Sequence, residues 1–459
     1  MAGRSFGLNR AQGKRYVAIV AASQHTIART PRIATVRGGR VLDEYRRTPC
    51  REKSLVHKMA LGFVWLAVAT SGIVFSEPAP VDALTMGLIV LLPVIGLVYI
   101  GETMILYIAL WLIAAAGGFI ASGVAHDTRN ATVFTVISLY LYLGSFVFGA
   151  FVAKRPEAHT RLILNAWTVA AGIAAVSGLV GYFSLLPGAY ELFTKFGRAA
   201  GTFKDPNVFG PFMVAPLLYL LHLVLTRPLT RVVGPMALAG VLVLATLLSF
   251  SRGAWITMVL GVLIYAYLAY VTAPSLIQRE RIVALMSLGL ALFGGLIAIA
   301  IQFEPVADLL DQRASLSQNY DVGPEGRFAG QQKALELVGE NPLGIGAHTF
   351  TRVHHREDVH NVYLSVMLNS GWLGGGVYWL LVATTLGLGF RHLTKASPMR
   401  PMFIILYAAF AATAFEGLVI DTDHWRHFYL LMGLIWGLMA AAPYRPADAG
   451  GRVLRRSGG

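Results

Sequence analysis

The chain has a single cysteine, Cys50, in 459 residues. That excludes an intrachain disulfide and any metal site built on several cysteines, and it leaves the compartment open. Charge is scarce as well. Charged residues make up 14% of the chain against 56% hydrophobic, where a soluble globular protein carries about 25% charge. No internal repeat is apparent, and the apolar residues do not alternate as they would in barrel strands of about 10 residues. They are gathered into continuous runs near the roughly 20 residues needed to cross a bilayer. The composition predicts an all-α polytopic membrane protein. A cleavable signal is not expected, because the first long apolar run comes late and many more follow it.

What is present in excess is positive charge, a net +14. The basic residues lie mainly between and outside the apolar runs, so membrane topology accounts for them before nucleic acid does, and no nucleic-acid partner is expected. Residues 1–56 form a basic tail, read as disordered and cytoplasmic, or as an anchor on anionic membrane lipids. Twelve spans are predicted: 57–74, 82–100, 103–122, 131–153, 163–186, 206–225, 232–249, 253–271, 281–301, 361–389, 401–420 and 426–443. The first nine fall within 57–301 and the last three within 361–443. A large polar insertion over 302–360 separates them, and residues 444–459 form a second tail. With both termini cytoplasmic, the inside segments 154–161, 227–231, 278–281 and 391–400 each carry at least two basic residues. The outside segments 77–81, 127–130 and 421–425 are acidic or nearly neutral, as the positive-inside tendency requires.

Four polar features then share the extracytoplasmic side: the loop 187–206, the break Ser251-Arg252-Gly253, the insertion 302–360 and the cluster 421–427. Arg252 stands between apolar runs, and a charge so placed is a functional hypothesis by default. Its rigid donor fork suits phosphate, although an arginine at a helix end can also snorkel to headgroups. Arg198 and Lys204 put positive charge in the loop 187–206, either as an anion contact or as plain interfacial residues. Asp205-Pro206-Asn207 reads as a turn opening a helix. Within the insertion, the first half is acidic, with Glu304, Asp308, Asp311, Asp321 and Glu325. Residues 327–340 then read as an amphipathic helix with Phe328, Leu335 and Val338 as its apolar positions, ended by Asn341-Pro342-Leu343-Gly344-Ile345-Gly346. Arg327 is a second candidate phosphate contact or a surface charge.

His360 sits where the insertion returns to the membrane. A histidine there can take a proton from a hydroxyl or merely anchor the helix, and Asn361 can orient a neighbouring group. His354, His355 and His360 together match no established zinc spacing. Glu416 interrupts an apolar run and is expected to pair with an arginine or histidine across the bundle, or to relay protons.

These passages resemble the O-antigen ligase-like superfamily of bacterial membrane proteins. The matching stretches are Gly201-Thr202-Phe203-Lys204-Asp205-Pro206-Asn207, Ser251-Arg252-Gly253-Ala254-Trp255, Gly326-Arg327, residues 341–346, His360-Asn361-Val362-Tyr363-Leu364 and Ser370-Gly371-Trp372-Leu373-Gly374. They occur in the family's order over about residues 190–390. The resemblance implies a twelve-helix glycosyltransferase of the bacterial inner membrane, without a cofactor or metal. Such an enzyme moves a glycan from a polyprenyl diphosphate carrier to an acceptor glycan or lipid, in exopolysaccharide or O-antigen polymerisation or ligation. It implies further that Arg252 and Arg327 with Arg198 hold the diphosphate, and that His360 is the base; Lys204, Asn361 and Glu416 are further substrate-contact candidates. A transporter of a small solute is the rival class. It would place Glu416 in a gating path, but paired broken helices in an inverted repeat are not seen.

Overall fold

The computed structural model describes residues 55–300, 302 and 326–441. The basic tail up to residue 54, the acidic half of the insertion and the final segment from residue 442 lie outside the described residues. Contacts divide the chain between Met59 and Ala60, and the packing described below concerns residues from Ala60 onward.

The described residues are mostly helical. The helices are α1 (Leu55–Ala69), α2 (Pro80–Val94), α3 (Glu102–Val124), α4 (Thr128–Lys154), α5 (Pro156–Tyr182) and the short α6 (Ala189–Phe193). A hairpin of β1 (Thr194–Lys195) and β2 (Arg198–Ala199) follows. Then come α7 (Pro206–Phe212), α8 (Val214–Thr226), α9 (Val233–Leu248), α10 (Arg252–Thr272), α11 (Leu276–Ala300), α12 (Arg327–Glu340), α13 (Val362–Leu393), α14 (Arg400–Glu416) and α15 (Arg426–Ala440). Helix falls within each of the twelve predicted stretches. Among the described residues, six segments are both long and apolar enough to cross a membrane: α3, α4, α5, α7–α8 taken together, α10 and α13.

Local chemistry sets most of the boundaries. α1 stops at Ala69 because the hydroxyls of Thr70 and Ser71 turn back onto the carbonyls of Leu66, Ala67 and Val68. Asp127 caps α4 by accepting the Asn130 N–H at 3.1 Å, as N-cap carboxylates do. Only Arg155 separates α4 from α5, where the sequence reading has a loop over 154–161; Pro156 at the first helical position lets α5 start at once.

Close packing depends on small residues, as expected where lipid replaces water and no hydrophobic force drives helices together. A Cβ on Gly117 of α3 would stand 2.5 Å from the backbone nitrogen of Gly374 in α13. One on Gly433 of α15 would overlap the carbonyl of Ser145 in α4. Around these contacts lies an aromatic interior. Trp111 and Tyr142 stack at 4.1 Å between ring centroids and Tyr107 and Trp436 at 4.8 Å. The Tyr107 hydroxyl meets Ser145 Oγ at 2.6 Å.

α13 is broken at Gly371, whose φ of 66° and ψ of −175° are not helical. The segment 341–346 docks into that break. The N–H groups of Ile345 and Gly346 donate to the Leu368 carbonyl at 2.8 and 3.1 Å, and the Trp372 N–H donates to the Pro342 carbonyl at 2.9 Å. Irregular backbone among spanning helices is tolerated when protein satisfies its polar groups in this way. α12 packs on the same region, but not by the face read from the sequence. Gly330, Ala334 and Leu337 are its buried positions, joined by the partly buried Val338 in a cluster with Ile345, Phe350, Val359 and Leu368. Phe328 and Leu335 are more than 60% exposed. The partner surface selects the face with small residues, which a hydrophobic count alone ranks lower.

Candidate functional site

The hairpin positions Arg198. Lys195 pairs with Arg198 across a two-residue turn in which Phe196 and Gly197 both have positive φ, 54° and 69°, the arrangement that matches strand twist. Arg198 is thereby buried to 7% exposure. Its Nε donates to the Ser249 carbonyl at 2.6 Å and its Nη2 to Asn207 Oδ1 at 2.9 Å. Asn207 itself follows Asp205, which caps α7 by accepting the Asn207 N–H at 2.8 Å. The turn read from Asp205-Pro206-Asn207 is present and helps hold Arg198.

Arg198 thus grips the break that precedes Arg252. Phe250 adopts a left-handed φ of 47°, and Ser251 caps α10 by accepting the Ala254 N–H at 3.3 Å. The Trp255 indole N–H returns to the carbonyls of Thr246 and Leu247 at the end of α9, both at 3.2 Å. Arg252 is the first residue of α10. The next, Gly253, is glycine for a steric reason: a Cβ there would lie 2.7 Å from Glu416 Oε1.

Glu416 is 2% exposed and accepts from Thr257 Oγ1 at 2.7 Å. Among the described residues its bonded partner is this threonine of α10, not the arginine or histidine that the sequence reading expects. Its neighbour Gly417 offers its carbonyl to the Val362 N–H at 2.9 Å, and Tyr363 donates to the Ala414 carbonyl at 2.7 Å. The C-terminus of α14 therefore ties the start of α10 to the start of α13.

His360 stands just before α13 with a left-handed φ of 51°, an uncommon backbone state for a residue with a Cβ. Its peptide groups are held from two other elements. The N–H donates to Asp421 Oδ2 at 2.9 Å, and the carbonyl accepts from Gln331 Nε2 of α12 at 3.1 Å. Asp421 also accepts from Ser365 Oγ. Burial first, and then the neighbouring carboxylate of Asp423, pushes the Asp421 carboxyl above its ordinary range, and burial does the same to Asp423. Burial lowers the neighbouring His424 to about 4. Asn361 spends its side chain on the cap of α13, accepting the N–H groups of Tyr363 and Leu364 at 3.1 and 3.3 Å. Gln331 lies one helical turn after Arg327, so the two share a face of α12, the face that reaches His360.

Four sequence-nominated residues, Arg198, Arg252, Glu416 and His360, are thus linked at one end of the bundle through Ser249, Gly253 and Gly417, and Arg327 opens the helix whose Gln331 reaches His360. Lys204 and Asn361 are occupied otherwise. Lys204 forms an ion pair with Glu77, and Asn361 serves α13. His354 and His355 are not drawn into a metal cluster with His360. The His355 ring stacks on Phe350 and its Nδ1 accepts the Glu357 N–H at 3.2 Å, and among the described residues no group of three possible ligands stands together. Sequence reasoning missed Gln331, Thr257 and the link from Asp421 to His360. The four-residue spacing from Arg327 points to Gln331, whereas nothing local joins His360 to Asp421.

The family model described as O-antigen ligase matches residues 236–379. That stretch contains the break before α10, Arg252, Arg327, His360 and the kink at Gly371, and leaves Arg198 and Glu416 outside. No curated protein matches the chain.

Proposed function

With similarity to the O-antigen ligases as the premise, we propose that this chain is a membrane glycosyltransferase working from a polyprenyl diphosphate-linked glycan. Twelve helical stretches are read as twelve spans of the bacterial inner membrane, with both termini cytoplasmic and the arginine-rich end of the bundle periplasmic. The observation that carries the reading is the joining of α10, α12, α13 and α14 at that end, which ties the supports of Arg252 and Arg327 to those of His360.

Arg198, Arg252 and Arg327 take the diphosphate. Guanidinium groups meet phosphate oxygens in bidentate fashion, and held in place beforehand they stabilise charge as it develops on the leaving group. The acceptor hydroxyl gives its proton to His360 as its oxygen bonds to the anomeric carbon. The bond from that carbon to the diphosphate oxygen breaks, and the electron pair leaves with the polyprenyl diphosphate. Clamping of the His360 peptide by Asp421 and Gln331 fixes where the imidazole starts, and orientation of this kind contributes strongly to such reactions. Glu416 braces the Arg252 turn and Asn361 the helix behind His360, so both act on substrate through other residues. Lys204 marks the rim.

Transfer from polyprenyl diphosphate-linked glycan by the purified protein tests this. Arg252→Ala is expected to lose carrier binding together with transfer. His360→Ala is expected to lose transfer by about 100-fold or more, the scale of general-base catalysis, with carrier binding kept. Asp421→Asn is expected to lower kcat while leaving the KM for the carrier unchanged. Normal transfer by His360→Ala would remove it as the base. Whether the surface glycan loses repeat number or loses its attachment separates polymerase from ligase.

A further inference from the structure

We infer that a cavity beside His360 is a separate subsite for an uncharged, hydroxyl-rich sugar unit of the acceptor, an inference that rests on the glycan-transfer reading above. The cavity has a volume of about 340 Å³, within the range of small-molecule sites. Its apolar lining includes Val68, Leu141, Phe148 and Phe212, and its polar residues include Glu77, Lys204, Asp421, Asp423, Arg426 and His427. None of Arg198, Arg252, Arg327 or His360 lines it. Asp421 belongs to both places: it lines the cavity and also accepts the His360 N–H. The cavity therefore reaches to within one side chain of His360.

Charge decides what the cavity suits. Its two cations are already committed. Arg426 makes a two-point contact with Asp82 at 2.7 and 2.8 Å, and Lys204 is paired with Glu77. Asp421 and Asp423 add carboxyls, and among the described residues neither forms an ion pair with an arginine or lysine. A diphosphate would meet acidic groups here and cationic ones at the arginine cluster, so the two halves of the reaction are sorted by charge. Sugar hydroxyls both donate and accept, and suit a wall of carboxyls.

One group on that wall points to a ligand independently. His427 is 5% exposed, and its Nε2 is buried with no hydrogen-bond partner. Buried polar atoms are normally paired, and a ligand hydroxyl in the cavity would satisfy this one. The His427 ring meets Phe212 edge-on at 5.9 Å and lies 5.2 Å from the Trp425 ring, giving aromatic surface beside the polar contact.

The test uses the full chain in lipid nanodiscs, titrated with oligosaccharides released by mild acid from the envelope polysaccharide of its native cell. A long-chain polyprenyl diphosphate is titrated separately. Leu141→Trp, which fills the cavity, and the milder His427→Gln are expected to weaken oligosaccharide binding by about tenfold. Affinity for the diphosphate is expected to stay within about twofold in both, and Arg252→Ala to show the reverse pattern. Unchanged oligosaccharide affinity in both cavity variants overturns the subsite. So does a phospholipid that co-purifies with a wild type showing no oligosaccharide binding and that Leu141→Trp displaces, for the cavity is then a lipid seat. Failure of the unaltered chain to bind polyprenyl diphosphate instead removes the glycan-transfer reading, and the subsite with it.

Discussion

Individual side chains at this site are held by contacts that also constrain their chemistry. Arg198 reaches across the Ser249 break, Glu416 occupies the space that Gly253 leaves open, and Asp421 holds the His360 N–H. The Asp421 and Asp423 pair carries a cost: two carboxyls buried together favour their protonated forms. For a carboxyl whose folded pKa is raised, the folded state binds more protons than the unfolded state between the two values. The resulting stabilisation is fully present below the unfolded value, about 4, and is lost as pH rises through the folded value, about 6 for Asp423. Asp423→Asn removes that titration. Its melting temperature is expected to exceed that of the wild type at pH 8 by a few degrees, with the difference shrinking as the pH falls towards 4. Melting curves across this range check it; a constant difference would assign the effect to packing.

At the scale of elements, helix ends do most of the positioning. Phe250 and His360, each two residues before a helix start, take left-handed backbone conformations, and such states persist at functional sites when surrounding contacts over-determine them. The segment 341–346 illustrates a different relation. Asn341-Pro342 and the two glycines are legible as a helix breaker, but their docking into the break of α13 is not. It depends on Gly371, where a Cβ would stand 2.6 Å from the Leu343 carbonyl carbon and where φ and ψ suit glycine almost alone. Gly371→Ala is expected to cost about 1–3 kcal/mol and to lower the melting temperature by several degrees. Gly376→Ala, with no atom within 4 Å of its Cβ position, is the control expected to change little; equal loss in both would show that the kink is not the cause.

At the scale of the whole molecule, the proposed activity depends on which end of the bundle faces the periplasm. If the arginine end is periplasmic, substitutions at the two ends of α13 should differ in access. Cys50 is the only cysteine, so Cys50→Ala gives a background for introducing single thiols. In intact cells with a permeable outer membrane, Phe328→Cys, before α13, is expected to react with a membrane-impermeant thiol reagent. Lys395→Cys, after α13, is expected to react only once the inner membrane is opened. Labelling of both from outside would break the assigned topology.

Sequence alone was enough for the class of molecule, the twelve helical stretches and the helix start at Asp205-Pro206-Asn207. These follow from composition, runs of apolar residues and chemistry within a few positions of that start. It also singled out Arg252 and His360, because charge and histidine beside apolar runs stand out where burial is costly, and Arg327 through the family resemblance. What those residues rest on is set by the packing of distant elements. Thr257 instead of an arginine for Glu416, Gln331 and Asp421 around His360, and the small-residue face of α12 all depend on neighbours brought close by packing. His360 and Asp421 are far apart in the chain and meet because α14 returns to the same end of the bundle, a relation set by helix packing that no local pattern encodes.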